Sequence, residues 1–132
     1  MEAQPIFPRA GAKDGMYESF YLRAVSPVER LGIWIRHTVH KRPGLAPRGS
    51  IWCTVFDARR EAPFMVKATS DQLEVPAGGW IGIGGEASFG PGFADGGCGE
   101  ARWIGSRIAA VFFRILTFGS LSPGAILVRK RA

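Results

Sequence analysis

YESFYLRAVSPVERLGIWIRHTVHKRPGLAPRGSIWCTVFD, residues 17–57, is the stretch whose reading decides the fold. Within it Leu31, Ile33, Ile35 and Val39 share one parity, and Trp34, Arg36, Thr38 and His40 the other. A period of two sets an apolar face against a mixed one, the pattern of a half-buried strand. Residues 50–57 alternate again, with Ile51, Cys53 and Val55 opposite Trp52, Thr54 and Phe56. The Pro- and Gly-containing segment 42–49 joins the two runs as a long-looped antiparallel hairpin. Both faces of the second run are apolar, so that strand is expected to lie centrally and to be covered on both sides. Residues 17–25 form a further strand, rich in aromatic and β-branched side chains and ended by Ser26-Pro27, because the residue before a proline is pushed out of the helical region.

Beyond this hairpin, Glu61-Ala62-Pro63 interrupts the chain and residues 64–69 read as the next strand. Short strands are expected at 73–75, 80–83, 86–89 and 100–104, between glycines. Ten of the 22 residues from 78 to 99 are Gly, and their irregular spacing marks tight turns, bulges or close backbone approaches. Residues 107–118 fit an amphipathic helix or a buried strand equally well, and periodicity does not choose between them. Residues 1–16 read as an irregular leader, 17–105 as an antiparallel β domain and 106–132 as a basic C-terminal segment. The fold class is therefore all-β: six to eight short antiparallel strands in a barrel or strongly curved sheet, with at most one helix near 107–118. The absence of helical patterns between the first four strands argues against a parallel sheet.

Charge has a location as well as a size. The net charge is +6, yet residues 1–101 hold 11 basic and 11 acidic side chains. The surplus is Arg102, Arg107, Arg114, Arg129, Lys130 and Arg131, a basic end joined to a neutral body. A solvated tail is the expectation, and no nucleic-acid partner, since aromatic and basic residues are not interleaved in that segment. The longest apolar run, 108–116, is broken by Arg114 and too short to span a bilayer. No apolar leader marks a secretory signal, and Cys53 and Cys98 show no CxxC spacing, so a reducing, cytoplasmic setting with two thiols is expected.

Candidate chemistry is sparse. No window fits GxGxxG or GxxxxGK[ST], so no nucleotide cofactor is expected. His37 and His40 lie three apart, which on a strand sends them to opposite faces and excludes a shared metal. His37 interrupts the apolar parity, as a core residue with its hydrogen bonds satisfied, a polar group in a ligand cavity, or a sign that the strand passes from core to rim. Cys53, between Ile51 and Val55, reads as a buried inert thiol. Cys98, near Asp95 and Glu100, has neighbours that raise its pKa, so neither thiol reads as a nucleophile. Asp57, Glu86, Asp95 and Glu100 are candidate acids or bases, and no spacing pairs any two of them.

The strand at Glu18–Tyr21 with E-S-[FY]-Y, W-[IL]-R-x-T at Trp34–Thr38, G-S-[IL]-W at Gly49–Trp52 and F-D at Phe56-Asp57 resemble the amino-terminal half of lipocalin-related proteins in the hydroxyneurosporene synthase and AttH-like group. FGPGFADGG followed by Arg102-Trp103 resembles that group's Gly-rich stretch, so the resemblance covers residues 17–104. It implies a calycin-like antiparallel fold, usually present twice in a longer chain, and relatives that handle apolar, isoprenoid or lipid-like molecules, some as hydratases or cyclases. No catalytic residue carries over. The resemblance stops near Trp103, and residues beyond it are expected to be foreign to the family through truncation or frameshift. A barrel cut short leaves unpaired edges, from which a homodimer or poor solubility is expected.

The leading expectation is a domain that binds an apolar small molecule, with Trp34, His37, Trp52, Phe56, Trp80 and Trp103 as the ligand-binding residues. A hydratase- or cyclase-type enzyme using His37 or a carboxylate as proton donor is the alternative. A module that docks on anionic surfaces through residues 102–131 is the third.

Overall fold

Alternation of side chains requires each strand to bury one face, and the chain meets that requirement by laying two antiparallel sheets against each other. The computed structural model describes residues 4–26, 30–91, 93–98, 101–106, 112–117 and 124–127. The first sheet has four strands in sequence order: β1 (Met16–Ser26), β2 (Leu31–Lys41), β3 (Arg48–Asp57) and β4 (Phe64–Ser70). The second has seven: β5 (Leu73–Glu74), β6 (Ile81–Ile83), β7 (Ala87–Phe89), β8 (Phe93–Cys98), β9 (Ala101–Ser106), β10 (Phe112–Thr117) and β11 (Gly124–Leu127). Every hydrogen-bonded neighbour is a sequence neighbour, so both sheets are meanders built from hairpins. Among the described residues neither closes into a barrel, although β11 passes beside β1.

The quoted stretch becomes β1 to β3 in the expected register. Phe20 pairs with His37, and Ile35 pairs with Cys53. The inward faces carry Leu31, Ile33, Ile35, Val39, Ile51, Cys53 and Val55, each 4 % exposed or less, and they meet Ile81, Ile83, Phe89, Cys98 and Trp103 of the other sheet. Of the two readings for 107–118, a strand occupies 112–117; there is no helix at that place, and residues 107–111 and 118 lie outside the described set. Among the described residues no helix is long and apolar enough to cross a membrane. The basic residues Arg107, Arg129, Lys130 and Arg131 also lie outside it.

Three expectations need correction. Among the described residues eleven strands form where six to eight were expected: β10 and β11 come on top of the eight, and FADGGC is a strand and not a turn. Gly96 explains it: its φ is +145°, and a Cβ there would stand 2.5 Å from the Cα of Ala87, its partner on β7. The glycine lets β8 approach β7 at a distance that a side chain would forbid. The strand also stays in the core at His37, since Val39 beyond it is fully buried.

The third correction concerns β3, which is central but covered on one face only. Trp52 is half-buried, while Phe56 is 48 % exposed on the outward side. Register places Tyr21, Arg36, Trp52 and Lys67 side by side across all four strands of that outward face, next to a row of hydroxyls, Ser19, Thr38, Ser50 and Thr69.

The leader is partly ordered by one carboxylate. Phe7–Arg9 is a single 3-10 turn. Glu18 accepts hydrogen bonds from the backbone N–H of Ile6 at 2.9 Å and of Phe7 at 3.1 Å, which seats Phe7 in the core. Lys41 closes the same end of the sheet, donating through Nζ to the carbonyls of Ala12 at 3.0 Å and Asp14 at 2.6 Å.

Candidate functional site

A groove of about 730 Å³ opens at the end of the first sheet where β1 stops, β2 starts and β3 runs into its following loop. Its floor is strand residues of both parities, among them Ile33, Trp34 and Phe56, and its far wall is the loop through Ala62 and Pro63. The loop is shaped by Asp57. Its carboxylate accepts from the backbone N–H of Arg59 at 3.0 Å, from Arg59 Nε at 2.9 Å and from Nη2 at 3.1 Å, an Asx-type turn that the chain order Asp-Ala-Arg makes possible. These hydrogen bonds from Arg59, with the nearby charges of Arg59 and Arg60, hold the Asp57 pKa below its ordinary value. The carbonyl of Arg30 accepts from Ala58 N at 3.1 Å, tying the start of β2 to the same turn. Arg30 itself has φ +56°, a left-handed conformation that a non-glycine residue holds only where the surroundings enforce it.

The groove is apolar along its body and cationic at its rim, where Arg23, Arg30 and Arg60 outnumber Asp57 and Glu61. Arg60 lies 4.0 Å from Asp57, whereas among the described residues Arg23 and Arg30 have no ion pair. The arrangement can bury an apolar body and neutralise one anionic head.

The six residues expected to bind ligand fall in three places. Trp34 and Phe56 line the groove. Trp52 stands on the outward face under Lys67, whose Nζ is 4.1 Å from the ring centroid. His37, Trp80 and Trp103 lie in or against the core between the sheets. There Trp80 is stacked on Phe20 at 5.4 Å and on Phe89 at 5.6 Å, and Phe89 tilts against His37 at 5.4 Å.

His37 is fully buried, and neither ring nitrogen has a hydrogen-bond partner among the described residues; the same holds for Trp103 Nε1. Burial lowers the His37 pKa to about 4, so the imidazole is neutral at pH 7 and has no route to a substrate. His40 is exposed on the other face, as strand parity requires. Among the described residues no three His, Cys, Asp or Glu side chains gather into a metal-binding group. Cys53 is buried and its thiol is pushed up to about 12, first by burial and then by Cys98.

Sequence reasoning missed Arg23, Arg30 and Arg60. Their signal lay in the positions of the arginines at strand ends, which becomes legible once the register of β1 to β3 is known. No family model, curated protein or solved structure matches the chain.

Proposed function

We propose that this chain is a lipocalin-like β domain that binds an apolar small molecule with an acidic head, of fatty-acid or isoprenoid-acid type, in the groove at the end of the first sheet. The observation that carries this reading is the pairing of an apolar floor with two rim arginines, Arg23 and Arg30, that have no ion pair among the described residues. Trp34, Phe56 and Pro63 offer surface for a hydrocarbon chain, and Arg23 and Arg30 offer charge for a carboxylate. A volume of about 730 Å³ falls within the ~300–1,000 Å³ usual for small-molecule sites. The resemblance of residues 17–104 to lipocalin-related proteins points to the same ligand class. Catalysis by His37 is not part of the proposal, because the ring is enclosed in the core and, uncharged at pH 7, is a weak acid.

Trp34 serves as its own reporter. Titration with a long-chain fatty acid is expected to shift tryptophan emission to the blue, and Trp34→Phe removes most of the shift. Phe56→Ala weakens affinity by about tenfold, the scale of one lost aromatic contact. The double change Arg23→Gln and Arg30→Gln weakens the fatty acid but not the matching fatty alcohol. No shift with either ligand, together with no lipid in a solvent extract of the purified protein, would sink the proposal.

A further inference from the structure

The outward face of β1–β4 extends beyond the groove, which shares Arg23, Trp34 and Phe56 with it. Aromatic and cationic side chains alternate across it by register. Tyr21, Arg36, Trp52 and Lys67 form one cross-strand row. The guanidinium of Arg36 lies 5.9 Å from the Trp34 ring centroid and 6.0 Å from that of Tyr17, while its Nε donates to Ser19 Oγ at 3.0 Å. Trp52 Nε1 donates to Thr38 Oγ1 at 3.4 Å, so its ring is held in place by a hydrogen bond as well as by Lys67. Among the described residues this face carries no carboxylate: Glu18 turns inward to the leader and Asp57 to its own turn.

We propose that this face binds single-stranded nucleic acid, with bases stacked on Tyr21, Trp34 and Trp52 and phosphates held by Arg36, Lys67 and Arg48. Flat rings anchored on a sheet give sequence-tolerant stacking platforms, and cations between them follow the backbone. Charge complementarity favours this occupant over others. A sugar platform would want carboxylates to accept from hydroxyls, and none is on the face. A second copy docked face to face would set cations against cations. A membrane would need a continuous apolar strip, and the hydroxyl row Ser19, Thr38, Ser50 and Thr69 interrupts it. The expectation of no nucleic-acid partner rested on basic residues gathered at the chain's end; register interleaves a different set with the aromatics, which linear order conceals.

The test is fluorescence anisotropy of a labelled oligothymidylate of about 12 nucleotides with the full chain. Binding is expected, with a slope of log affinity against log salt of about −2, from three phosphate contacts. Trp52→Ala is expected to weaken it by about tenfold. Lys67→Gln, an exposed change that leaves the fold alone, is expected to reduce the slope by about 0.7. Neither residue lines the groove, so fatty-acid binding by both variants stays at the wild-type level, and the two readings fail separately. The proposal is overturned by absence of binding, by equal competition from a duplex, or by both variants binding as wild type. It is equally overturned if only removal of residues 128–132 abolishes binding, which would assign the effect to the basic end. Oligonucleotide-independent binding to anionic vesicles or self-association, lost in Trp52→Ala, would give the face to a membrane or to a second copy.

Discussion

At the scale of one residue, His37 has the clearest thermodynamic consequence. Its parity placed it on the apolar face, and that much was legible; its lack of partners among the described residues was not, because hydrogen bonding depends on what the second sheet brings against it. That sheet brings Phe89, which has no acceptor to offer. The folded protein holds the imidazole neutral down to about pH 4, whereas the unfolded chain takes up a proton near the ordinary value of about 6.5. Between these values the unfolded state binds more protons, so stability falls as pH falls, by up to about 3 kcal/mol. Full stability from this residue is present above pH 6.5. Urea denaturation at pH 7 and at pH 4.5 is expected to give a lower midpoint at the acidic pH. His37→Phe is expected to flatten that pH dependence and to keep or raise stability at pH 7, since no hydrogen bond to a described residue is lost. An unchanged slope in the variant would assign the acid sensitivity to other groups.

At the scale of the element, legibility followed side-chain content. The strands β2 and β3 could be read because most of their side chains alternate with period two, although the apolar Trp52 and Phe56 hid that the outward face of β3 is uncovered. β8 could not, because Gly96 and Gly97 report no face, and the reason for a glycine is a neighbour that only the fold supplies. β10 stayed ambiguous because a short apolar run suits helix and strand alike. The groove depended on this level too: Trp34 and Phe56 were legible as aromatics on one face, but Arg23 joined them only through the pairing of β1 with β2. Gly96→Ala tests the account of β8. The added Cβ meets Ala87 backbone at 2.5 Å and the φ of +145° is closed to alanine, so a loss of about 2 kcal/mol or more is expected in chemical denaturation. Gly85→Ala is a useful contrast: its φ is also positive, at +68°, but a Cβ there meets nothing within 4 Å. It should cost only the backbone strain, about 1 kcal/mol.

At the scale of the molecule, the two sheets share one core, and the cysteines report on it from both sides. Cys53 belongs to β3 and Cys98 to β8, and Cys98 Sγ reaches across to the carbonyl of Ile51 at 3.8 Å. Each is 1 % exposed or less. The composition suggested thiols far apart in sequence; the packing of one meander on the other brings them to the same interior, where the proximity of Cys98 helps to raise the Cys53 pKa to about 12. A thiolate is the reactive form, so neither enclosure nor charge favours reaction in the native state. Ellman's reagent at pH 8 should therefore label neither cysteine in the folded chain and both in strong denaturant. Removing either sheet would leave the other's apolar face in water, so the two are expected to open together. Labelling of Cys53→Ala, which reports the second sheet, and of Cys98→Ala, which reports the first, should then follow urea with the same midpoint once each curve is referred to its variant's own fluorescence transition. If one thiol becomes reactive well before that transition, its sheet unfolds separately and the shared core does not hold the molecule together as one unit.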